Sequence, residues 1–353
     1  MKILYAVQAT GNGHISRAIQ LLPYLKQYGE VDIFLSGENA NLNVGMPVKY
    51  SSKGLSLFYG NSGKLDYYTM FKKFSLKRIW NEAKQLPVEK YDLVLNDFES
   101  ITSLACKFKN VPSIQFGHQA SFQSALTPRP KKKDILGECI LKNYAPSTKY
   151  LGLHFESYDA NIYNPIIKSE IIEANAVNEG HVTVYLSHYS NAVLEQYLLA
   201  VPEIKFEVFS KEIKTAVVKK NICYYPISNT LFTQSMIKSA GVITGAGFET
   251  PAEAMYLGKK LLCLPIRGQY EQLCNAAALS NMGVVVVDKI EQGFNEKIKQ
   301  WFSNSKSIEL TLQHSTYELI QLLMEEAKSL QTNKNKTTIY EPNSFSLMNE
   351  LSL

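Results

Sequence analysis

The residues best placed to do chemistry fall in one stretch, 239–283. An apolar run, Gly241-Val-Ile-Thr244, ends in Gly245-Ala-Gly247. Thr250-Pro251-Ala-Glu253 then has the composition of a helix start, with Pro in the first turn and Glu three residues after Thr. Glycines beside a helix N-terminus let a phosphate reach exposed backbone N–H groups at the positive end of the helix dipole. Gly258 closes that helix, Lys-Leu-Leu-Cys-Leu-Pro265 reads as a strand, and a second polar turn follows with Gln269, Glu271, Gln272 and Asn275. Acids and amides so clustered hydrogen-bond hydroxyl groups. Together the two loops would accommodate a diphosphate joined to a sugar. Each feature also has a plainer reading. Thr250-x-x-Glu253 is a capping box that accounts for both side chains, Gly245 and Gly247 serve in any tight turn, and four polar residues make an ordinary solvated helix start.

This stretch resembles the donor-binding half of the GT-B glycosyltransferases. That superfamily holds the lipid-linked N-acetylglucosaminyltransferase of peptidoglycan synthesis and the UDP-glucuronosyl and macrolide transferases. The stretch is most similar to bacterial and archaeal members that carry G-F-E-T-P-A-E-A followed by G-Q-x-E-Q-x-x-N-A. Both motifs stand here, at 247–254 and 268–276, in that order around one strand. The resemblance implies an α/β chain of GT-B architecture, two Rossmann-like doubly wound domains facing a cleft. A nucleotide-sugar donor, expected to be a UDP-sugar, would lie in the second domain. There Glu253 would bind the ribose hydroxyls, and Glu271 and Gln272 the sugar. Ser187 and His188, after the first strand of that domain, match places from which relatives approach the phosphate, although His188 is equally a surface residue. Pro226-Ile227-Ser228 lies where the family's nucleobase loop lies, so Ile227 is expected to meet a uracil through its backbone. Several relatives carry His or Ser at the glycine turn; here Thr244 and the amides of Gly245 and Gly247 must suffice, ahead of the helix that Thr250 opens. No D-x-D metal motif is seen, and neither metal nor cofactor is expected.

The first half should supply the base. Its opening strand runs into Gly11-Asn-Gly13-His14. Spacing alone leaves a dinucleotide reading open: the turn is a partial G-x-G with Ser16 where the third glycine belongs, and Glu38 stands near the end of the second strand for a ribose. The resemblance reads the turn as facing the cleft, with His14 the general base that inverting sugar transfer needs. Without it, a histidine at a helix start simply caps or packs. Asp97, at a later strand end, matches an acid that in several relatives holds the base through its other ring nitrogen. It is equally the N-cap of a helix at 100–108. Glu99 competes for either role. The expected activity is inverting transfer of a hexosyl or N-acetylhexosaminyl group to a hydroxyl acceptor, lipid-linked or part of a cell-envelope glycan. A nucleotide-sugar 2-epimerase of the same fold and a non-catalytic nucleotide-sugar-binding protein stand as alternatives.

Positioning these residues takes two sheets. Strands are expected at 2–7, 31–35, 48–50, 55–59, 91–95 and 111–116, and helices at 15–28, 67–86 and 100–108. Ile15, Ala18, Ile19, Leu22 and Leu25 give the first helix its apolar stripe. A β-α-β start implies parallel sheet. Residues 127–165, interrupted by Pro128, Pro130, Pro146 and Pro165, read as a connection. A second strand series follows at 181–186, 204–209, 222–225, 241–244, 260–265 and 284–287, then helices at 293–302 and 308–330. The chain thus divides into an acceptor-binding domain, 1–155, a donor-binding domain, 156–330, and a loose tail, 331–353.

At 353 residues the chain exceeds a usual single core, which agrees with two domains. A net charge of +5 permits an anionic substrate or a membrane surface without demanding either, and no nucleic-acid module is recognisable. Five cysteines lie far apart with no C-x-x-C pair, so reduced thiols are expected. The N-terminus enters a strand directly and no run of 18 apolar residues occurs, so neither a signal peptide nor a spanning helix is expected. The expected location is cytoplasmic, with peripheral contact at an anionic membrane surface. That contact rests on 58–80, where aromatics mix with Lys64, Lys72, Lys73, Lys77 and Arg78, and on Lys131, Lys132 and Lys133. A solvated basic face accounts for the same residues.

Overall fold

The structure, a computed structural model, describes residues 1–9, 12–37, 45–54 and 75–334. Its first sheet contains β1 (Lys2–Gln8), β2 (Glu30–Ser36), β3 (Val48–Ser52), β4 (Leu93–Asp97), β5 (Ser113–Gly117), β6 (Lys149–Leu153) and β7 (Ile162–Tyr163), ordered β3-β2-β1-β4-β5-β6-β7. The second contains β8 (His181–Tyr185), β9 (Lys205–Ser210), β10 (Val217–Lys219), β11 (Ile222–Pro226), β12 (Gly241–Gly245), β13 (Lys260–Leu264) and β14 (Val285–Val286), ordered β10-β11-β9-β8-β12-β13-β14. Pairing is parallel throughout except in the β10–β11 hairpin. Strands covered on both faces need apolar residues at nearly every position. So it is in β1, where six of seven residues are buried.

Helices α1 (Asn12–Leu25), α2 (Leu76–Gln85), α3 (Ser100–Lys109) and α4 (Ile135–Asn143) belong to the first half. Then come α5 (Ser169–Ile172), α6 (Asn191–Leu198), α7 (Asn229–Lys238), α8 (Glu249–Tyr256), α9 (Tyr270–Asn281), α10 (Phe294–Asn304) and α11 (Thr316–Lys334). Each sheet reverses its winding once, between β1 and β4 and between β8 and β12. Doubly wound sheets open a crevice at the C-terminal strand ends beside such a reversal. The register Val7↔Asp97 and Thr244↔Tyr185 places Asp97 and the Gly245 turn at those two openings.

Three expectations change. Residues 127–165 are not a bare connection: they hold α4, β6 and β7, and the last two extend the first sheet. The prolines that read as interruptions lie between elements, Pro146 before β6 and Pro165 after β7. The helix at 308–330, placed with the second half by sequence order, starts at Thr316 and packs back on the first. Leu319, Ile320, Leu323, Met324 and Ala327 of α11 share one core with Ile15, Ala18 and Leu22 of α1. Lys149 pairs with Glu326 at 3.2 Å, and Gln331 donates to the Asp92 carbonyl at 2.7 Å. The third change is that Thr250 does not cap α8. That helix starts at Glu249, its N-cap Phe248 is already helical, and no side chain caps it. The 55–59 strand, Glu38, and 58–74 of the basic aromatic segment lie outside the described residues. All five cysteines are unpaired, and among the described residues no helix is long and apolar enough to cross a membrane.

Candidate active site

His14 sits in the first turn of α1, and Asp97 closes β4 across the sheet reversal. His14 Nδ1 lies 2.9 Å from Asp97 Oδ1. Asp97 is wholly buried, while the His14 side chain keeps 13% exposure. Burial raises the Asp97 carboxyl, but the Arg17 guanidinium and His14 outweigh it and hold it below its usual value. An ionised carboxylate only accepts, so the contact puts the proton on Nδ1 and leaves Nε2 its lone pair. That nitrogen faces the cleft. Gln119 Nε2 approaches it at 3.5 Å and donates to Glu271 Oε2 of the other half at 3.0 Å. The Gln119 Oε1 atom is buried and has no protein partner.

Arg17, one turn after His14, was not singled out by sequence. Its Nε and Nη2 donate to Asp97 Oδ2 and Oδ1 at 3.0 and 2.7 Å, and Nη1 donates to Glu249 Oε1 of α8 at 2.5 Å. Two glycines make room. A Cβ on Gly117 would stand 2.6 Å from Asp97 Oδ1, and one on Gly13 2.6 Å from Glu249 Oε2. Glu99 takes no part in this cluster. Its two carboxylate oxygens accept from the Ile101 and Thr102 amides at 2.8 and 2.6 Å, which makes it, and not Asp97, the N-cap of α3.

Behind the cluster, His118 ties the halves together. Its Nδ1 donates to the Leu153 carbonyl at 3.0 Å and its Nε2 meets Asn275 Oδ1 at 2.8 Å. Its ring stacks on Phe248 at 4.0 Å. Asn275 also donates to the Ala246 carbonyl at 3.1 Å, so this residue of the second polar loop is wholly buried and holds the glycine turn. Burial pushes the His118 imidazole below its usual value.

The expected donor residues gather at the strand ends of the second sheet. Thr244 is buried, and Gly245, Gly247 and Thr250 are half-buried. Neither Gly245 nor Gly247 has positive φ. Their value is space, since a Cβ on Gly247 would meet nothing within 4 Å. Ser187 and His188 lie exposed past the end of β8, and Ile227 is exposed beyond β11. Glu271 is half-buried at the cleft. Gln272 is spent on the backbone, its Oε1 accepting from the Ile266 amide at 2.9 Å. Glu253 does not reach back to form a capping box. It is 2% exposed and pairs with Lys168 Nζ at 3.1 Å. Burial lifts its carboxyl to about 7, against the pull of Lys168.

Two doubly wound parallel sheets of this kind, one in each half, make the GT-B architecture. The chain belongs to glycosyl transferase family 1, whose family model matches residues 1–304. Its chemistry is sugar transfer from a nucleotide-sugar donor. Solved structures of similar fold include the glycosyltransferase of kitacinnamycin, at TM-score 0.57 and 12% identity over 93% of this chain and 95% of that one. Spinosyn forosaminyltransferase SpnP gives 0.55 and 12% over 93% and 99%. Glycosyltransferase VinC in complex with dTDP gives 0.53 and 13% over 93% and 100%. No curated protein matches the chain in sequence.

Proposed function

We propose that the protein is an inverting glycosyltransferase in which His14 is the base and the α8 N-terminus receives the donor diphosphate. The observation that carries this reading is the orientation of His14, whose Nδ1 is engaged by Asp97 at 2.9 Å while Nε2 meets only the weak 3.5 Å approach of the Gln119 amide. The acceptor oxygen forms a bond to the anomeric carbon on the face opposite the diphosphate while its proton passes to Nε2. The carbon–oxygen bond to the diphosphate breaks, and the electron pair leaves with the phosphate. Charge developing there faces the amides after Gly245 and Gly247 and the positive end of α8. Thr244 and Thr250 line that turn, with Ser187 and His188 on the next strand end. Glu253 serves the ribose, Ile227 the base, and Glu271 with Gln272 the sugar. For Glu253 this means that a ribose shares or displaces Lys168.

The donor is read as a UDP-sugar. Since VinC is solved in complex with dTDP, dTDP-sugars are the comparison to run beside it. The acceptor is read as a hydroxyl compound presented at an anionic membrane surface. A screen of UDP- and dTDP-sugars tests the whole, scored by nucleotide release and by the anomeric configuration of the product. Retained configuration, or release unaffected by His14→Ala, would sink the mechanism. Isomerised sugar without transfer would assign the protein to the epimerases instead.

A further inference from the structure

Arg17 has a larger part than neutralising a buried acid. Its guanidinium is 3% exposed and every arm is engaged: two nitrogens on Asp97, one on Glu249. Nη2 also lies 3.0 Å from His14 Nδ1, two donors held side by side by the one carboxylate oxygen between them. Asp97 belongs to the first sheet and Glu249 to the first turn of α8 in the second. One side chain therefore touches the partner of the base and the helix that faces the donor. The sequence leaves glycine at the two positions, 13 and 117, where any side chain would strike these carboxylates.

We propose that Arg17 is a positioning residue that, through Glu249, couples closure of the cleft to the proton-accepting state of His14. Closure brings Glu249 to Arg17. The engaged fork then holds Asp97 in one orientation, and Asp97 holds the imidazole. The charges work in opposite senses. Arg17 places a positive charge 3.0 Å from His14 Nδ1, and Glu249 offsets that charge from the other side. The groups facing His14 are Asp97 from β4, Arg17 from its own helix and the Gln119 amide, with Glu271 of α9 behind that amide. Those facing Arg17 are Asp97, Glu249, His14 and the buried Tyr5 of β1, and His118 senses both Arg17 and Glu249. Of these, Glu249 alone reaches the cluster from the donor helix.

The inference rests on His14 being the base, and the experiment keeps the two apart. The full-length protein, labelled at its histidines, is titrated by NMR, and the His14 signal is assigned by its loss in His14→Ala. In Arg17→Gln the signal should titrate at higher pH than in wild type. In Glu249→Gln it should titrate at lower pH. Gly13→Ala keeps every charge but pushes the Glu249 carboxylate away, so it should move the signal in the same direction as Glu249→Gln. These last two variants leave the buried Arg17–Asp97 pair intact and carry the test if Arg17→Gln fails to fold. Glu249→Gln should also lose roughly 10–100-fold in kcat through misplacement of the base, while UDP affinity does not weaken. Shifts of one sign in all variants, or no shift in Glu249→Gln and Gly13→Ala, overturn the coupling. Undiminished transfer by His14→Ala overturns the base reading, and with it the catalytic meaning of the coupling, whatever the titrations show.

Discussion

At the scale of single residues, the base and its acid have separable failures. On the proposed mechanism His14→Ala removes the group that meets the acceptor, and a positioned base contributes about 10²–10⁴ in rate. Its kcat should fall by that factor, with UDP binding by calorimetry unchanged because the proposed nucleotide site is in the other half. Asp97→Asn should lose less rate, since the base remains, but it strips a buried Arg17 of its partner. Breaking such a pair costs about 3–5 kcal/mol, so its denaturation midpoint should drop while that of His14→Ala stays close to wild type. Glu253 gives the pH dependence. Its carboxyl titrates at about 7 in the folded chain. If the ribose needs the carboxylate, UDP affinity should fall by up to about tenfold per unit as pH drops below 7. Glu253→Gln should flatten that slope, and an equal slope in the variant would remove Glu253 from the site. The sign for stability is the reverse. An acid whose folded value is raised contributes most when protonated, so its contribution is full below the ordinary range near 4.3 and is lost as pH rises through about 7. The pairing of His14 with Asp97 was expected from the resemblance, in which an acid at a later strand end holds the histidine after the first strand, and the two side chains do meet. Arg17, Glu249 and His118 were not, because their partners lie 80, 232 and 157 residues away and nothing local marks them. The Arg at the third position after His14 was a signal only in hindsight of the helix phase.

At the scale of elements, the helix that carries His14 depends on one that the sequence assigns to the far end of the chain. Leu323 of α11 is fully buried in the core shared with α1. Leu323→Ala should cost about 2–5 kcal/mol, read as a lowered urea midpoint. It should also depress activity more steeply with temperature than an equally severe cavity in the β9–α6 region, because α1 carries His14, the proposed base. Equal behaviour of the two would show that α11 is only ballast. Most strands were legible from their apolar runs, though β6, β7 and β10 were not, and the β-α-β opening gave parallel topology. The crossing of α11 was not, since an apolar stripe says that a helix packs and not on what. The capping box misled for a related reason. Phe248 stacks on His118 and the chain enters the helix two residues early, and Lys168 takes the carboxylate that the box requires.

At the scale of the whole molecule, the remaining question is where the acceptor is met. Part of the expected membrane face lies outside the described residues, but two described pieces can be tested. On α2, Leu76 and Trp80 are exposed beside Lys77 and Lys84. In the loop before α4 and at its first residue, Leu126 and Ile135 are 68% and 85% exposed on either side of Lys131, Lys132 and Lys133. That loop abuts the cleft. Arg129 pairs with Glu138, which also accepts from Tyr270 of the second half at 2.8 Å. Arg78 does not belong with the free charges, since it holds Glu82 at 3.0 Å and the Gly54 carbonyl at 2.8 Å. Basic side chains near an anionic surface contribute about 1 kcal/mol each, so three lysines amount to about 3 kcal/mol, or roughly 150-fold in partitioning. Vesicles containing phosphatidylserine should bind the protein, and binding should weaken with salt as the Debye length shortens. Replacing Lys131, Lys132 and Lys133 by Gln should remove most of it, and Ile135→Ser should weaken what is left without altering the salt dependence. Binding that is as strong on neutral vesicles, or indifferent to the lysines, would discard the membrane surface and leave an acceptor met in solution.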